Sequence, residues 1–159
     1  IEAMWRDPAE GFMSTIERLP AADNLEVRIL DHYEDATGTE VWLSPKLDVK
    51  RLLRFLADHE EDLLHNGHVR LSVYLRAERS TMRLDEHKST VWLSADASTA
   101  ARFATWAEAL GAPHVAALPS LASEPHFHYR PGNARSLAAL RERLSRARFR
   151  RVEQTAAAG

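Results

Sequence analysis

The sequence contains no cysteine in its 159 residues, which excludes a disulfide framework, thiolate ligation of zinc or an iron–sulfur cluster, and a cysteine nucleophile. A reducing compartment is compatible with that. Glycine is scarce, at six residues, and no Gly-x-Gly-x-x-Gly or P-loop string is present, so a phosphate-cradling nucleotide site has no support. No apolar run approaches the roughly 20 residues a membrane span requires, and no charged-then-apolar signal segment opens the chain. The expectation is a soluble, cytoplasmic protein with no membrane partner. No HExxH helix occurs, and neither Ser44 nor Ser94, each between a strand and a helix, is flanked by the glycines of a nucleophile elbow.

What is present is ordinary in bulk. A chain that is 45% hydrophobic and 28% charged can bury one sizeable core, so residues 1–159 are read as a single domain. The formal net charge of −2 conceals an asymmetry. Residues 1–64 carry 15 acidic and 7 basic side chains, 65–129 carry 6 of each, and 130–159 carry 2 and 8. Those eight are all arginines. Two readings follow: an arginine surface for nucleic acid or an acidic partner, or a basic end that neutralises the acidic front within the fold.

Residues 1–3 precede Met4, which would serve as a native start, and are set aside. Asp7-Pro8-Ala9-Glu10 has the form of a helix start, with Asp7 as N-cap, Pro8 at the first position and Glu10 at the capping-box position. Phe12, Met13, Ile16 and Leu19 follow at helical spacing up to Pro20. Leu25, Val27 and Ile29 alternate with Glu26 and Arg28 as in a half-buried strand, and residues 40–44 return after the turn at Asp35-Ala36-Thr37-Gly38. A helix opened by Pro45 or Asp48 carries Val49, Leu52, Leu53 and Leu56 on one side, and Asn66-Gly67 ends it as an αL-tolerant pair.

The pattern then recurs. Val69, Leu71, Val73 and Leu75 alternate with polar residues, a charged connection runs to Lys88, residues 90–94 return, and a helix with Phe103, Trp106, Ala107 and Leu110 ends at Gly111. Val41-Trp42-Leu43-Ser44 matches Val91-Trp92-Leu93-Ser94 fifty positions later, with Leu53 over Phe103 and Leu56 over Trp106. The expected architecture is α+β: an antiparallel sheet of two tandem β-β-α units, at about 25–67 and 68–111, with helices mainly on one face. A short N-terminal helix precedes them. A C-terminal strand–helix region, 112–154, follows, with short strands at 115–118 and 126–129, an arginine-rich helix from Asn133 and a tail at 155–159. In that helix Leu137, Leu140 and Leu144 form the apolar stripe, while Arg135, Arg143, Arg146 and Arg150 project from the far side.

Three sets of residues are candidates for function. If Val27, Ile29, Val41, Leu43, Leu71, Val73, Val91 and Leu93 face the helices, alternation sends Trp42, Trp92, Tyr74, Arg28, Arg70 and Arg76 to the other sheet face. Aromatics beside arginines suit a protein partner or stacked bases. The competing reading folds the N-terminal helix over that face and hides the tryptophans. Arg135, Arg143, Arg146 and Arg150 are the candidates for nucleic acid. Glu124, His126, His128 and Arg130 alternate with Phe127 and Tyr129, which places both histidines on one face of a strand, as metal ligands, with Phe127 and Tyr129 inward. A third ligand at metal spacing is missing, so the arrangement reads more simply as a solvated polar face. Glu61 and His65 are helical neighbours, without a pocket to make them an acid–base pair.

The leading expectation is therefore a non-catalytic protein-binding module of the bacterial adaptor or immunity type, needing no cofactor and binding a protein partner or a second copy of itself. A nucleic-acid-binding protein is the first alternative. A metal-dependent enzyme using His126 and His128 is the second.

Overall fold

Helix α1 (Pro8–Ile16) begins as its sequence dictates: the Asp7 carboxylate accepts the Glu10 amide at 3.1 Å with Pro8 in the first turn. The same device, a short polar side chain satisfying an amide left free at a helix start, recurs at three later helices. Asp48 caps α2 (Val49–Asp58), Asp96 caps α4 (Ala97–Ala109) and Ser136 caps α5 (Leu137–Arg146). A four-residue helix, α3 (Glu60–Leu63), follows α2. α5 starts at Leu137 and not at the expected Asn133, because residues 131–134 form a turn closed by an Ala134 amide to Pro131 carbonyl bond. Of the expected helix arginines, Arg135 therefore precedes α5 and Arg150 lies beyond it in the last strand. The computed structural model describes residues 1–34, 36–116, 118 and 127–152.

Seven antiparallel strands form one sheet in the order β1-β6-β5-β4-β2-β3-β7. They are β1 (Glu2–Ala3), β2 (Asn24–Ile29), β3 (Glu40–Leu43), β4 (Val69–Leu75), β5 (Ser80–Leu84), β6 (Thr90–Ser94) and β7 (Arg150–Val152). The protein is an α+β fold. Three strands depart from the sequence expectation. Residues 1–3, set aside above, pair with β6, with Glu2 opposite Val91 and Ala3 opposite Thr90. The charged connection before Lys88 contains β5, which lies between β4 and β6, so β4 and β6 do not pair and the expected second β-β-α unit is replaced by a three-stranded meander. The chain beyond α5 turns at Arg148, in the left-handed region at φ +63°, and returns as β7 beside β3. The expected strand at 115–118 is irregular where described, as is 127–129, and the tail at 155–159 lies outside the described residues.

Strand register separates two faces. Across one run Ala3, Thr90, Leu84, Leu71, Val27 and Trp42, and beside them Trp92, Met82, Val73 and Leu25. Apart from Thr90, these share a single buried cluster with Phe12 and Ile16 of α1, Leu52 and Leu56 of α2, Phe103 of α4 and Leu137, Leu140 and Leu144 of α5. The other face carries Glu2, Val91, Arg83, Ser72, Glu26, Leu43 and Arg150 in one row and Leu93, Thr81, Tyr74 and Asn24 in the next. None of those side chains joins the cluster.

Gly67 illustrates how close backbones meet. It is not in the left-handed region expected of an Asn-Gly helix stop; its amide donates to the Tyr129 carbonyl at 2.7 Å. A Cβ there would sit 3.0 Å from that oxygen, 3.1 Å from the Tyr129 nitrogen and 3.3 Å from the Glu86 oxygen. All three are main-chain atoms. Gly67→Ala should therefore force the Tyr129 main chain back by a few tenths of an ångström and cost about 1 kcal/mol, the lower end of the range for overpacking, read from the urea midpoint at pH 7.

Candidate functional site

The tryptophans of the expected recognition face are in the core. Trp42 and Trp92 are 7% and 1% exposed, and both belong to the cluster under the helices. The expected alternation holds in β2 and β4, where Val27, Ile29, Leu71 and Val73 are buried, but β3 and β6 have the opposite phase. The physical reason is size. Val-Trp-Leu is apolar on both sides of the strand, and a tryptophan buries far more area than a valine or leucine when it faces inward. Each indole N–H also finds an acceptor: Glu40 Oε2 at 3.0 Å for Trp42 and Thr99 Oγ1 at 3.3 Å for Trp92. The alternative in which α1 alone hides the tryptophans in a second core is superseded as well, since α1 and both indoles share one core.

Arg28, Arg70 and Tyr74 lie on the other face, as expected, joined there by Val41, Leu43, Val91 and Leu93. Their charges are largely matched. Arg28 donates to Glu26 at 3.0 and 3.2 Å, and Arg70 grips Glu86 with two nitrogens at 2.7–2.9 Å. The Tyr74 hydroxyl donates to Glu26 at 2.6 Å; burial, followed by the carboxylate beside it, pushes its pKa up to about 12. Arg76 lies past β4, in the 3₁₀ turn Arg76–Glu78, where its guanidinium donates to Asn24 at 2.9 Å and its amide to Asp23 at 2.8 Å. Glu26, Val41, Leu43, Tyr74, Arg76 and Val152 line a shallow concavity of about 440 Å³ on this face.

Arg83 escaped the sequence reading because β5 did. It sits mid-strand between Val91 and Ser72, half-buried, and its Nε has no hydrogen-bond partner. Recognising the alternation of Ser80, Met82 and Leu84 with Thr81 and Arg83 would have revealed it.

The C-terminal arginines turn toward the acidic front of the chain. Arg130 pairs with Glu34, Arg135 with Asp62, and Arg141 with Glu40, which Arg151 approaches at 3.7 Å. Arg146 pairs with Glu142 one helical turn away. Of the four candidates for nucleic acid, Arg135 is thus engaged with a carboxylate that is 1% exposed. Arg143 and Arg150 point to solvent with no ion pair among the described residues. The charge asymmetry of the sequence is to this extent neutralised inside the fold.

His126 lies outside the described residues. His128 does not stand on a strand: residues 127–130 are irregular, and Phe127 and Tyr129, expected inward, are 102% and 70% exposed. The His128 ring instead stacks on His32 at 4.1 Å between centroids and on His87 at 5.4 Å. His68 meets His32 edge-on at 4.7 Å, with the two Nδ1 atoms 2.6 Å apart. Four segments distant in sequence deliver these imidazoles, which is why no spacing rule could find the group. Among the described residues, no three His, Asp or Glu side chains are placed to hold a metal ion.

No helix of the described residues is long and apolar enough to cross a membrane. Compared with protein-family models, curated proteins and solved structures, the chain matches none.

Proposed function

We propose that this protein is a non-catalytic protein-binding module and that the sheet face outside the buried cluster is its contact surface. The observation that carries the reading is the composition of that face. Leu43, Val91, Leu93 and Tyr74 lie there beside a central arginine, Arg83, whose Nε lacks a partner. Leu93 is 40% exposed. Aromatic and arginine anchors among apolar neighbours are the usual energetic centre of a protein interface, and Arg83, which has no ion pair among the described residues, suits a partner carboxylate at its guanidinium head. The partner fitting this surface is a protein segment that sets a carboxylate between apolar side chains.

Arg83→Glu with Leu93→Glu tests it. Both residues stand outside the core cluster, so the melting temperature should fall by only a few degrees. A photo-crosslinker placed at Leu93 should capture a discrete protein in lysate of the native host, and Arg83→Glu should reduce that capture at least tenfold, since reversing a charge at an interface costs on the order of a few kcal/mol. Equal capture by the variant and the parent would overturn the reading. Retention on heparin surviving moderate salt would favour nucleic acid instead, because each phosphate contact releases a counterion and makes binding steeply salt-dependent.

A further inference from the structure

We propose that His32, His68, His87 and His128 form a proton-operated clasp, which when neutral holds residues 127–131 against the β5–β6 turn and the start of β4, and when protonated releases them. The inference is independent of the binding face. His128 is the only one of the four from the segment being held, and its ring stacks on those of His32 and His87 with interplanar angles of 11° and 21°. Stacking at these distances suits neutral rings; two imidazolium ions so placed repel, since charges a few ångströms apart at a protein surface interact strongly. The 2.6 Å contact between the Nδ1 atoms of His32 and His68 needs one donor and one acceptor, so the pair accommodates one proton there and not two.

The surroundings do not favour added positive charge. Arg130 lies 5.0 Å over the Tyr33 ring, which faces His68 at 5.5 Å. Lys88, beside His87 in the turn, donates to the Val69 carbonyl at 3.0 Å, and enclosure brings its pKa down to about 7. The nearby carboxylates are shared with other partners: Glu34 faces His68 but pairs with Arg130, Glu86 faces His87 but pairs with Arg70, Asp62 pairs with Arg135, and Asp85 accepts from the Ser89 amide and hydroxyl. Asp31, next to His32 in the chain, is exposed. Burial, then the charges of His32 and Arg130, hold the His68 imidazole below its ordinary 6.5, against opposing hydrogen bonds with the backbone of His32 and His128. A depressed histidine stabilises the closed state fully above that ordinary value, and the contribution is lost as pH falls through the lowered one.

The reporter is the Gly67 amide, whose bond to the Tyr129 carbonyl joins the held segment to the sheet end. Nuclear magnetic resonance of the full chain, in EDTA, follows the four ring resonances and the Gly67 amide together as pH falls from about 7.5 to about 5. Over the same range the Gly67 amide, corrected for intrinsic exchange, should lose at least tenfold of its protection, while the amides of core positions such as Leu71 and Val73 keep theirs. His128→Phe keeps a ring in the stack and removes one proton site, so release should move to lower pH; His87→Gln serves if that variant does not fold, with the same direction expected. Unchanged Gly67 protection down to about pH 5 would overturn the proposal. So would its loss together with the Leu71 and Val73 amides, which would mean global unfolding.

Discussion

Trp92→Ala should cost about 3–5 kcal/mol, the range for removing a fully buried large aromatic. The indole is 1% exposed, stacks on Phe103 at 5.5 Å between centroids and meets Trp106 edge-on at 6.3 Å. Its loss opens a cavity between β6 and α4 and leaves Thr99 without its N–H donor. Against a typical total stability of about 5–15 kcal/mol, that would leave much of the chain unfolded in modest urea. The neighbouring Leu93→Ala, outside the core cluster, should shift stability by only about 0.5 kcal/mol. Urea unfolding of the two variants side by side is thus a direct reading of strand phase. Equal losses at both positions would contradict the burial of Trp92. Acrylamide should likewise quench Trp42 and Trp92 poorly.

Glu40→Ala should cost about 3 kcal/mol, the lower end for breaking a buried ion pair. The lower end applies because the Arg141 guanidinium, 37% exposed, can turn to water once its partner is gone. The Glu40 carboxylate, 2% exposed, accepts from Arg141 and from the Trp42 indole, so it ties α5 to the sheet through a side chain that also orients a core aromatic. Its pKa reflects a contest. Burial alone would raise it, but hydrogen bonds from Arg141 and Trp42 and the charges of Arg141 and Arg151 hold it below the ordinary 4.5. A depressed carboxyl contributes fully above its unfolded value and loses that contribution as pH falls through the folded one. The stability gap between parent and Glu40→Ala should therefore be widest near neutral pH and should narrow below about pH 4.5. A double cycle with Arg141→Ala separates the pair from the burial of Glu40 itself. A gap that stays constant with pH would show that the carboxylate charge is not what matters.

Much of the framework was legible because its signals are local. Asp7 and Asp48 act where their spacing places them, each satisfying an amide three residues on, and the alternation in β2 and β4 needs only neighbours in the chain. The missed elements depend on partners far away. β5 carries Arg83 and Thr81 and resembles a charged connection until β4 and β6 are laid on either side of it. β1 and β7 are two and three residues long, too short to show a period. The binding candidates fared according to the same rule. Arg28, Arg70 and Tyr74 followed the phase of their strands, whereas the Trp42 and Trp92 positions required knowing which face the helices would bury.

The sequence by itself determined the α+β class, the β2–β3 hairpin, the starts of α1 and α2 and an arginine-rich end following an acidic front. These follow from propensity, capping and periodicity, which act over a few residues. Only the tertiary structure decided that the tryptophans lie inward, that Arg130, Arg135 and Arg141 pair with Glu34, Asp62 and Glu40, and that four histidines from separate segments share one stack. Each of those outcomes is a choice among long-range partners of similar local chemistry. It is settled by which arrangement buries the most apolar area while giving the buried carboxylates their counterparts.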